Sequence, residues 1–376
     1  MKIVAISASQ IPSSVANSIQ AMKAVHALAQ LGHDVTLLAP SHPNRSTDWD
    51  NLLHFYGLNT RFSLEYITAP SRRLFFLTAV RRARVFKPDL LYVWPIQSAM
   101  LGLLHGFPVI LEVHDLPTGR IGPFWYRYFR DVRGRKRIGV ITHALKAMLD
   151  EQFETFLPPE DVIIAPMGVE LERFSDLPDP ATARRALSLP EAPTATCTGH
   201  LYAGRGVEIF LKLARQMDDI QFLWAGGKPE DVARWRESAR DLPNVNFVGF
   251  VPNQQLPLYQ AAADVLLMPY GHNIGISSWA GSNASKISSP MKMFEYLATG
   301  RAILSSDLPV FREVLNEGNA VFCPPEDTAS WQDALRALLN NPARRASLGA
   351  QASQDAEQYS WKARAARLLD GFTTKA

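Results

Sequence analysis

A chain of 376 residues, 47% hydrophobic and 20% charged, has the composition of a folded globular protein and is long enough for two domains of ordinary size. Its net charge of +3 is small, so any basic behaviour has to come from local clusters. Two cysteines, Cys197 and Cys323, in apolar or strand-like surroundings exclude a disulfide framework, and no apolar run is long enough for a secretory signal or a bilayer span, so the expected place is the cytoplasm, free or peripheral on the inner membrane face.

Lys2 to Ser7 reads as a buried first strand. Asn17 to Leu31 follows as a helix, with Ile19, Met22, Val25, Leu28 and Leu31 on one stripe and Gly32 ending it. His33 to Ala39 is the next strand, and this βαβ unit opens a doubly wound domain. The loop Ala8 to Ala16 lies at the ligand edge of such a sheet, but it has no Gly-x-Gly-x-x-Gly and is a poor dinucleotide site. Strands at Asp89 to Trp94 and Val109 to Val113 continue the sheet. The second runs directly into His114-Asp115. A His at the carboxyl end of a parallel strand points into the cleft, although a lone His is more often structural. Arg137 to Thr142 is a strand, Ala144 to Phe153 a helix, and Val162 to Phe174 closes the domain. Leu177 to Pro193, with Pro178, Pro180, Pro190 and Pro193, reads as a linker with one short helix at Ala181 to Leu187. The expected division is a first domain over 1–176, a linker over 177–193 and a second domain over 194–360.

The second domain starts with the strand Thr194 to Thr198. The turn Gly199-His200-Leu201-Tyr202-Ala203-Gly204-Arg205-Gly206 then leads into a helix at Val207 to Met217. Glycines at a strand-to-helix turn let the backbone come close to a diphosphate, and Arg205 offers a planar fork of donors; an ordinary Gly-rich connection is the alternative. Gln221 to Gly227 is a strand and glycine turn, and Val245 to Val251 another strand. Asn253 to Ala263 reads as a helix, and Asp264 enters a strand that ends at Pro269. Tyr270 to Ile287 is long, polar and rich in Gly and Ser, a loop placed to close over a ligand. After the next helix, Arg301 to Ser306 is a buried strand. A helix is expected at Val310 to Gly318, a strand at Ala320 to Cys323, helices at Ala329 to Leu338 and Arg344 to Tyr359, and a last helix from Ser360-Trp361 to near Phe372.

The stretch Ser288-Ser289-Pro290-Met291-Lys292-Met293-Phe294-Glu295-Tyr296-Leu297-Ala298-Thr299-Gly300 carries the chemistry. Ser289 reads as its N-cap, Pro290 as the first helical residue and Gly300 as the residue just past its end. It joins two parallel strands, so its N-terminus lies at the carboxyl edge of the sheet, where free N–H groups suit a phosphate. Glu295, one turn on, can accept from a vicinal diol such as a ribose. The alternative is a capped surface helix with a Lys292–Glu295 ion pair. Ser-Pro-x-Lys-x-Phe-Glu-Tyr-x-Ala-x-Gly, followed by Ser306-Asp307-Leu308-Pro309 and Arg312-Glu313-Val314, resembles the donor-site signature of the family-four glycosyltransferases. That resemblance covers essentially the whole chain. It implies a GT-B fold of two doubly wound α/β domains facing across a cleft, with the last helix, about 361–376, packing back on the first domain. It implies a retaining hexosyltransferase-like enzyme that takes a nucleotide diphosphate sugar as donor substrate and needs no metal and no cofactor.

On the same resemblance, Gly199, His200, Gly206, Ser288, Ser289 and Pro290 border the donor, and Glu295 holds the ribose hydroxyls. The backbone at Phe250 and Val251 meets the base. Arg205 and Lys292 stabilise charge on the leaving diphosphate, and His114 contacts the sugar near the reacting carbon. Ser13 and Ser14, in the first loop, lie on the acceptor side. Ile287 stands where many members have a second Glu that contacts the donor sugar, so the sugar's identity does not carry over. A nucleotide-sugar epimerase of the same fold and a non-catalytic sugar-nucleotide binder are the alternatives. Two basic, aromatic-rich segments, 72–87 and 120–137, further suggest contact with an anionic membrane surface and a lipid or lipid-linked acceptor, a soluble saccharide being the other choice. No feature points to nucleic acid.

Overall fold

The computed structural model describes residues 1–154, 157–274 and 284–372. The chain divides into two compact units, Met1–Met167 with Trp361–Ala376, and Gly168–Ser360. The first unit alternates strands and helices in sequence: β1 (Lys2–Ile6), α1 (Ala16–Gln30), β2 (Asp34–Pro40), α2 (Trp49–Tyr56), β3 (Ser63–Ile67), α3 (Phe75–Val85), β4 (Leu90–Val93), α4 (Ile96–Leu104), β5 (Val109–Val113), α5 (Gly122–Asp131), β6 (Lys136–Val140), α6 (His143–Phe153) and β7 (Val162–Ile164). Its sheet is parallel, in the order β3-β2-β1-β4-β5-β6-β7. The reversal between β1 and β4 is the doubly wound switch, and it puts the loop after β1 at the carboxyl edge of the sheet. β1, β4, β5 and β6 are near-continuous runs of buried residues, as strands covered on both faces should be.

The second unit contains α7 (Pro180–Ala186), β8 (Thr194–Thr198), α8 (Val207–Gln216), β9 (Gln221–Ala225), α9 (Pro229–Ser238), β10 (Val245–Gly249), α10 (Leu256–Ala261), β11 (Val265–Met268), α11 (Met291–Thr299), β12 (Ala302–Ser306), β13 (Ala320–Cys323), α12 (Thr328–Leu339) and α13 (Pro342–Ala356). Its parallel sheet runs β10-β9-β8-β11-β12-β13. The ring of Phe210 meets Phe222 and Trp224 edge-on at centroid distances of 5.4 and 5.2 Å, in a core shared with Trp331 and Leu335. Burial of each large apolar side chain of this kind contributes about 1.5–3 kcal/mol. Residues 177–193 fall within this unit. Arg184 of α7 donates to the Ala262 carbonyl at 3.0 Å and to Asp264 at 2.9 Å, and Arg301 donates to the Pro178 carbonyl at 2.7 Å. The chain then returns to the first unit as α14 (Trp361–Leu369).

Three expectations need correction. Val310 to Gly318 is a succession of turns rather than a helix. Val310, Phe311, Val314 and Leu315 have helical spacing and are buried. However, Arg312 is drawn back to Asp307 and forward to Glu317, and Asn316 bonds the N–H of Gly318 while Asn319 bonds that of Asn316. Asn side chains that bond nearby backbone compete with the helical ladder. The helix expected over Asn253 to Ala263 is confined to Leu256–Ala261. The donor helix begins at Met291, not Pro290. Pro290 is the N-cap with φ −69° and ψ 128°, a geometry its ring permits as readily as the first helical position. Gly300 ends that helix in the left-handed region, as its place in the sequence implies.

The basic segments are not uniformly superficial. Arg135 donates to the carbonyls of Phe372 and Gly371 at 2.6 and 2.8 Å, and Arg137 to those of Leu368 and Asp370 at 3.0 and 2.6 Å. These two arginines cap the end of α14. Lys136 is buried against the carbonyls ending α5, and Arg82 forms a fork with Glu65. Phe75, Tyr126 and Phe129 are core residues. Arg72, Arg73, Arg120 and Arg127 stay exposed beside exposed Leu74, Ile121, Phe124 and Tyr128. The Phe76 and Trp125 rings, 6.4 Å apart, join the start of α3 to α5. No helix among the described residues is long and apolar enough to cross a membrane.

Candidate active site

In the second unit the turn between β8 and α8 packs directly on the chain leaving β11. Gly206, φ +88°, caps α8, and a Cβ there would lie 1.9 Å from the Pro269 carbonyl oxygen. A Cβ on Gly204, φ +76°, would lie 1.9 Å from the Asn273 carbonyl oxygen. Only glycine fits at these two positions, and the close approach delivers Arg205 to the carboxyl edge of the sheet. Its Nη1 donates to the Tyr270 hydroxyl at 2.7 Å, and its Cζ lies 5.0 Å from the centre of the Tyr270 ring. Lys292, in the first turn of α11, has its Nζ 4.7 Å from the same ring and 2.9 Å from the Thr198 carbonyl oxygen at the end of β8. The two predicted diphosphate cations are therefore brought together around one phenol. Among the described residues neither forms an ion pair.

The surroundings fit an anion. Arg205 Nε and Ser288 Oγ are buried and have no partner among the described residues. Burial works to raise the Tyr270 phenol, but the charges of Arg205 and Lys292 outweigh it and hold the group below its ordinary value. The nearby Cys197 thiol is pushed up to about 12 by burial, which leaves it inert as a nucleophile. The Tyr296 hydroxyl accepts from the Thr198 N–H at 2.8 Å and locks α11 to the end of β8.

Glu295 is buried on the same helix. Its Oε2 accepts from Gln260 Nε2 at 3.0 Å, and Gln260 in turn faces Thr299. The Lys292–Glu295 ion pair does not form, because the two side chains leave the helix toward different partners: Lys292 toward β8 and Glu295 toward α10. Gly199 receives the Trp224 indole N–H on its carbonyl at 2.9 Å, and the His200 ring stacks on Tyr202 at 4.9 Å. Ser289 is buried just before the helix. Phe250 is exposed, and Val251, following β10, is buried. Of the loop expected to close over the donor, Tyr270 to Ile287, residues 275–283 lie outside the described residues.

In the first unit His114 follows β5, half-buried, with Nε2 2.9 Å from Glu112 Oε2. Glu112 is buried and receives both guanidinium arms of Arg364, on α14, at 2.5 and 2.6 Å, as well as the Tyr92 hydroxyl. Burial works to raise the Glu112 carboxyl, but the Arg364 charge and hydrogen bonds hold it well below the usual carboxylate range. An ionised carboxylate can only accept, so Nε2 carries the proton and the His114 ring orientation is fixed from below. Ser13 donates its N–H to the Tyr56 hydroxyl at 2.8 Å, and its Oγ accepts from the Val15 N–H at 3.3 Å. Ser14, beside it, is half-buried. Among the described residues, no three His, Cys, Asp or Glu side chains are grouped to hold a metal.

Tyr270, Gln260, Glu112 and Arg364 escape a reading of motifs. Tyr270 leaves one trace, an aromatic residue just past the carboxyl end of an apolar strand. Arg364 leaves another, a cation at helical spacing between Trp361, Ala365 and Leu368.

Residues 19–173 match the family model described as Glycosyltransferase Family 4, and residues 192–341 match the model described as Glycosyl transferases group 1. The chain is 27% identical over 226 residues to a phosphatidyl-myo-inositol mannosyltransferase of Mycolicibacterium smegmatis, a match covering 57% of this chain and 52% of that protein. It thus spans about half the length of the curated relatives it matches. The fold is similar to that of a sucrose-phosphate synthase from Thermosynechococcus elongatus, with a TM-score of 0.73, 18% identity and coverage of 98% and 97% of the two chains. It is also similar to that of Anabaena HepE in complex with UDP and glucose, with a TM-score of 0.72, 14% identity and coverage of 99% and 100%.

Proposed function

This chain belongs to glycosyltransferase family 4, and from that premise we propose that it moves a sugar from a nucleoside diphosphate sugar to a lipid or saccharide acceptor with retention at the anomeric carbon. The observation that carries the reading is the convergence of Arg205 and Lys292 on Tyr270 beside the N-terminus of α11. In the reaction the bond between the anomeric carbon and the diphosphate oxygen breaks. The acceptor oxygen attaches from the same face, and the departing phosphate oxygen takes the acceptor proton. Charge grows on the diphosphate as it leaves. Arg205, Lys292 and the backbone N–H groups after Ser289 stabilise that charge without a metal or a cofactor. His114 orients the sugar, Glu295 the ribose, and the backbone at Phe250 and Val251 the base.

A thermal-shift panel of nucleotide sugars tests the assignment. The true donor at a hundred times its dissociation constant should stabilise the wild type by about 2.7 kcal/mol. Glu295→Gln should lose roughly 1.5–3 kcal/mol of affinity for the nucleotide and the nucleotide sugar alike. Equal binding by both proteins would remove Glu295 from the ribose. Incubation with donor alone separates transfer from epimerisation, and the anomeric configuration of the product reports retention.

The acceptor we infer is a lipid or lipid-linked sugar met at an anionic surface. Exposed Leu74, Ile121 and Phe124 among Arg72, Arg73, Arg120 and Arg127 support it. Each such cation near a headgroup layer contributes about 1 kcal/mol. Co-sedimentation with anionic vesicles should weaken with salt and with charge reversal at Arg72, Arg73 and Arg120. Equal recovery in the supernatant with anionic and neutral vesicles at low salt would leave the soluble acceptor.

A further inference from the structure

We propose that Tyr270 is the positioning residue that aims Arg205 at the donor diphosphate, an inference that rests on the donor-site reading above. A guanidinium has one edge made of Nε and Nη2, which matches two oxygens of a phosphate as a fork. The Tyr270 hydroxyl takes Nη1, 2.7 Å away, at the other side of the group. Nε is buried with no partner among the described residues, so the Nε–Nη2 edge is the one left to receive a ligand. Tyr270 thus decides which edge Arg205 presents.

Tyr270 is itself held firmly. Only 1% of its surface is exposed, its carbonyl accepts from Ser306 Oγ at 2.6 Å, and its ring meets Phe311 edge-on at 5.2 Å. The next residue, Gly271, donates its N–H to the Gly204 carbonyl at 3.0 Å. The phenol and the turn that carries Arg205 are therefore one rigid piece. The ring face serves Lys292 as well, at 4.7 Å, so a single side chain spaces both cations. The choice of a phenol follows from electrostatics. Two like charges brought together in a poorly solvated place repel one another and need an acceptor between them. A carboxylate would hold them but would cancel one charge and compete with the incoming diphosphate. A phenol supplies an oxygen and a π-face while leaving both positive charges available.

The experiment measures binding of ADP, GDP and UDP to the full chain by calorimetry and carries forward the tightest of the three. Tyr270→Phe keeps the ring and removes the hydroxyl. Its affinity for that nucleoside diphosphate should fall about tenfold, while its affinity for the corresponding nucleoside, followed by saturation-transfer NMR, should stay that of the wild type. In an Arg205→Lys background, where the fork is absent, Tyr270→Phe should cost nothing more. A purely structural tyrosine would instead weaken nucleoside and nucleoside diphosphate together, or add its loss to that of Arg205→Lys; either result overturns the proposal. Wild-type affinity in Tyr270→Phe overturns it too and leaves the donor site standing. Failure of the wild type to bind any of the three removes the donor-site reading and this inference with it.

Discussion

Arg205→Ala is expected to lower turnover by roughly 10²–10³-fold, the usual consequence of deleting one group aimed at developing charge. The loss should fall on both binding and rate, because the diphosphate is present in the ground state and gains charge as it departs. His114→Ala should behave differently. His114 belongs to the other unit and is assigned to the sugar, so its removal should reduce turnover and spare binding of the free nucleoside diphosphate. Calorimetry with the nucleoside diphosphate, set beside initial rates, reads both variants. If Arg205→Ala kept full turnover, the arginine would be no more than a partner for Tyr270. If His114→Ala abolished nucleoside diphosphate binding in a folded protein, His114 would be assigned to the wrong half of the donor.

The second large effect is on stability. Arg364→Met should cost about 3–5 kcal/mol, because it leaves Glu112 buried without its cation. Glu112→Gln in the same chain should recover much of that loss, since what destabilises is the uncompensated charge. Glu112 also makes acid stability a direct readout. Its carboxyl is depressed in the folded chain, so its contribution is fully present above the unfolded carboxylate value and is lost as pH falls through the folded one. Urea midpoints of the wild type should therefore decline as pH drops below the ordinary carboxylate range, and Glu112→Gln should flatten that part of the curve. An Arg364→Met protein with the wild-type midpoint at neutral pH would show that the pair is not what holds α14 in place.

The parts of this molecule legible in its sequence are those where one residue type has a single reason to be there. Gly300 ends α11 in the left-handed region, and β5 and β8 have the bounds expected of them, Val109 to Val113 and Thr194 to Thr198. Arg205 stands out in the sequence as a cation in the glycine turn after β8, and Lys292 through the signature that resembles the family. The rest fails for identifiable reasons. α9 buries only Val232 and shows no stripe, while β3 is an edge strand without a clean alternation. The turns at Val310 to Gly318 copy a helical period because the same face must still be buried. Partners such as Gln260 for Glu295, or Arg364 for Glu112, come from distant segments, 35 and 252 residues away, and no local pattern announces them.

The return of the chain to the first unit at Trp361 has a consequence for how the protein is made. A ribosome emits residues 168–360 as one contiguous block between the two pieces of the first unit. The second unit is therefore complete in sequence while the first still lacks α14. Until residue 364 emerges, Glu112 has no guanidinium, and Arg135 and Arg137 have no helix end to cap. Domains generally fold as units as the chain lengthens. Here the later-encoded unit is the first to become whole, and the earlier one waits, a cation short, for the closing segment.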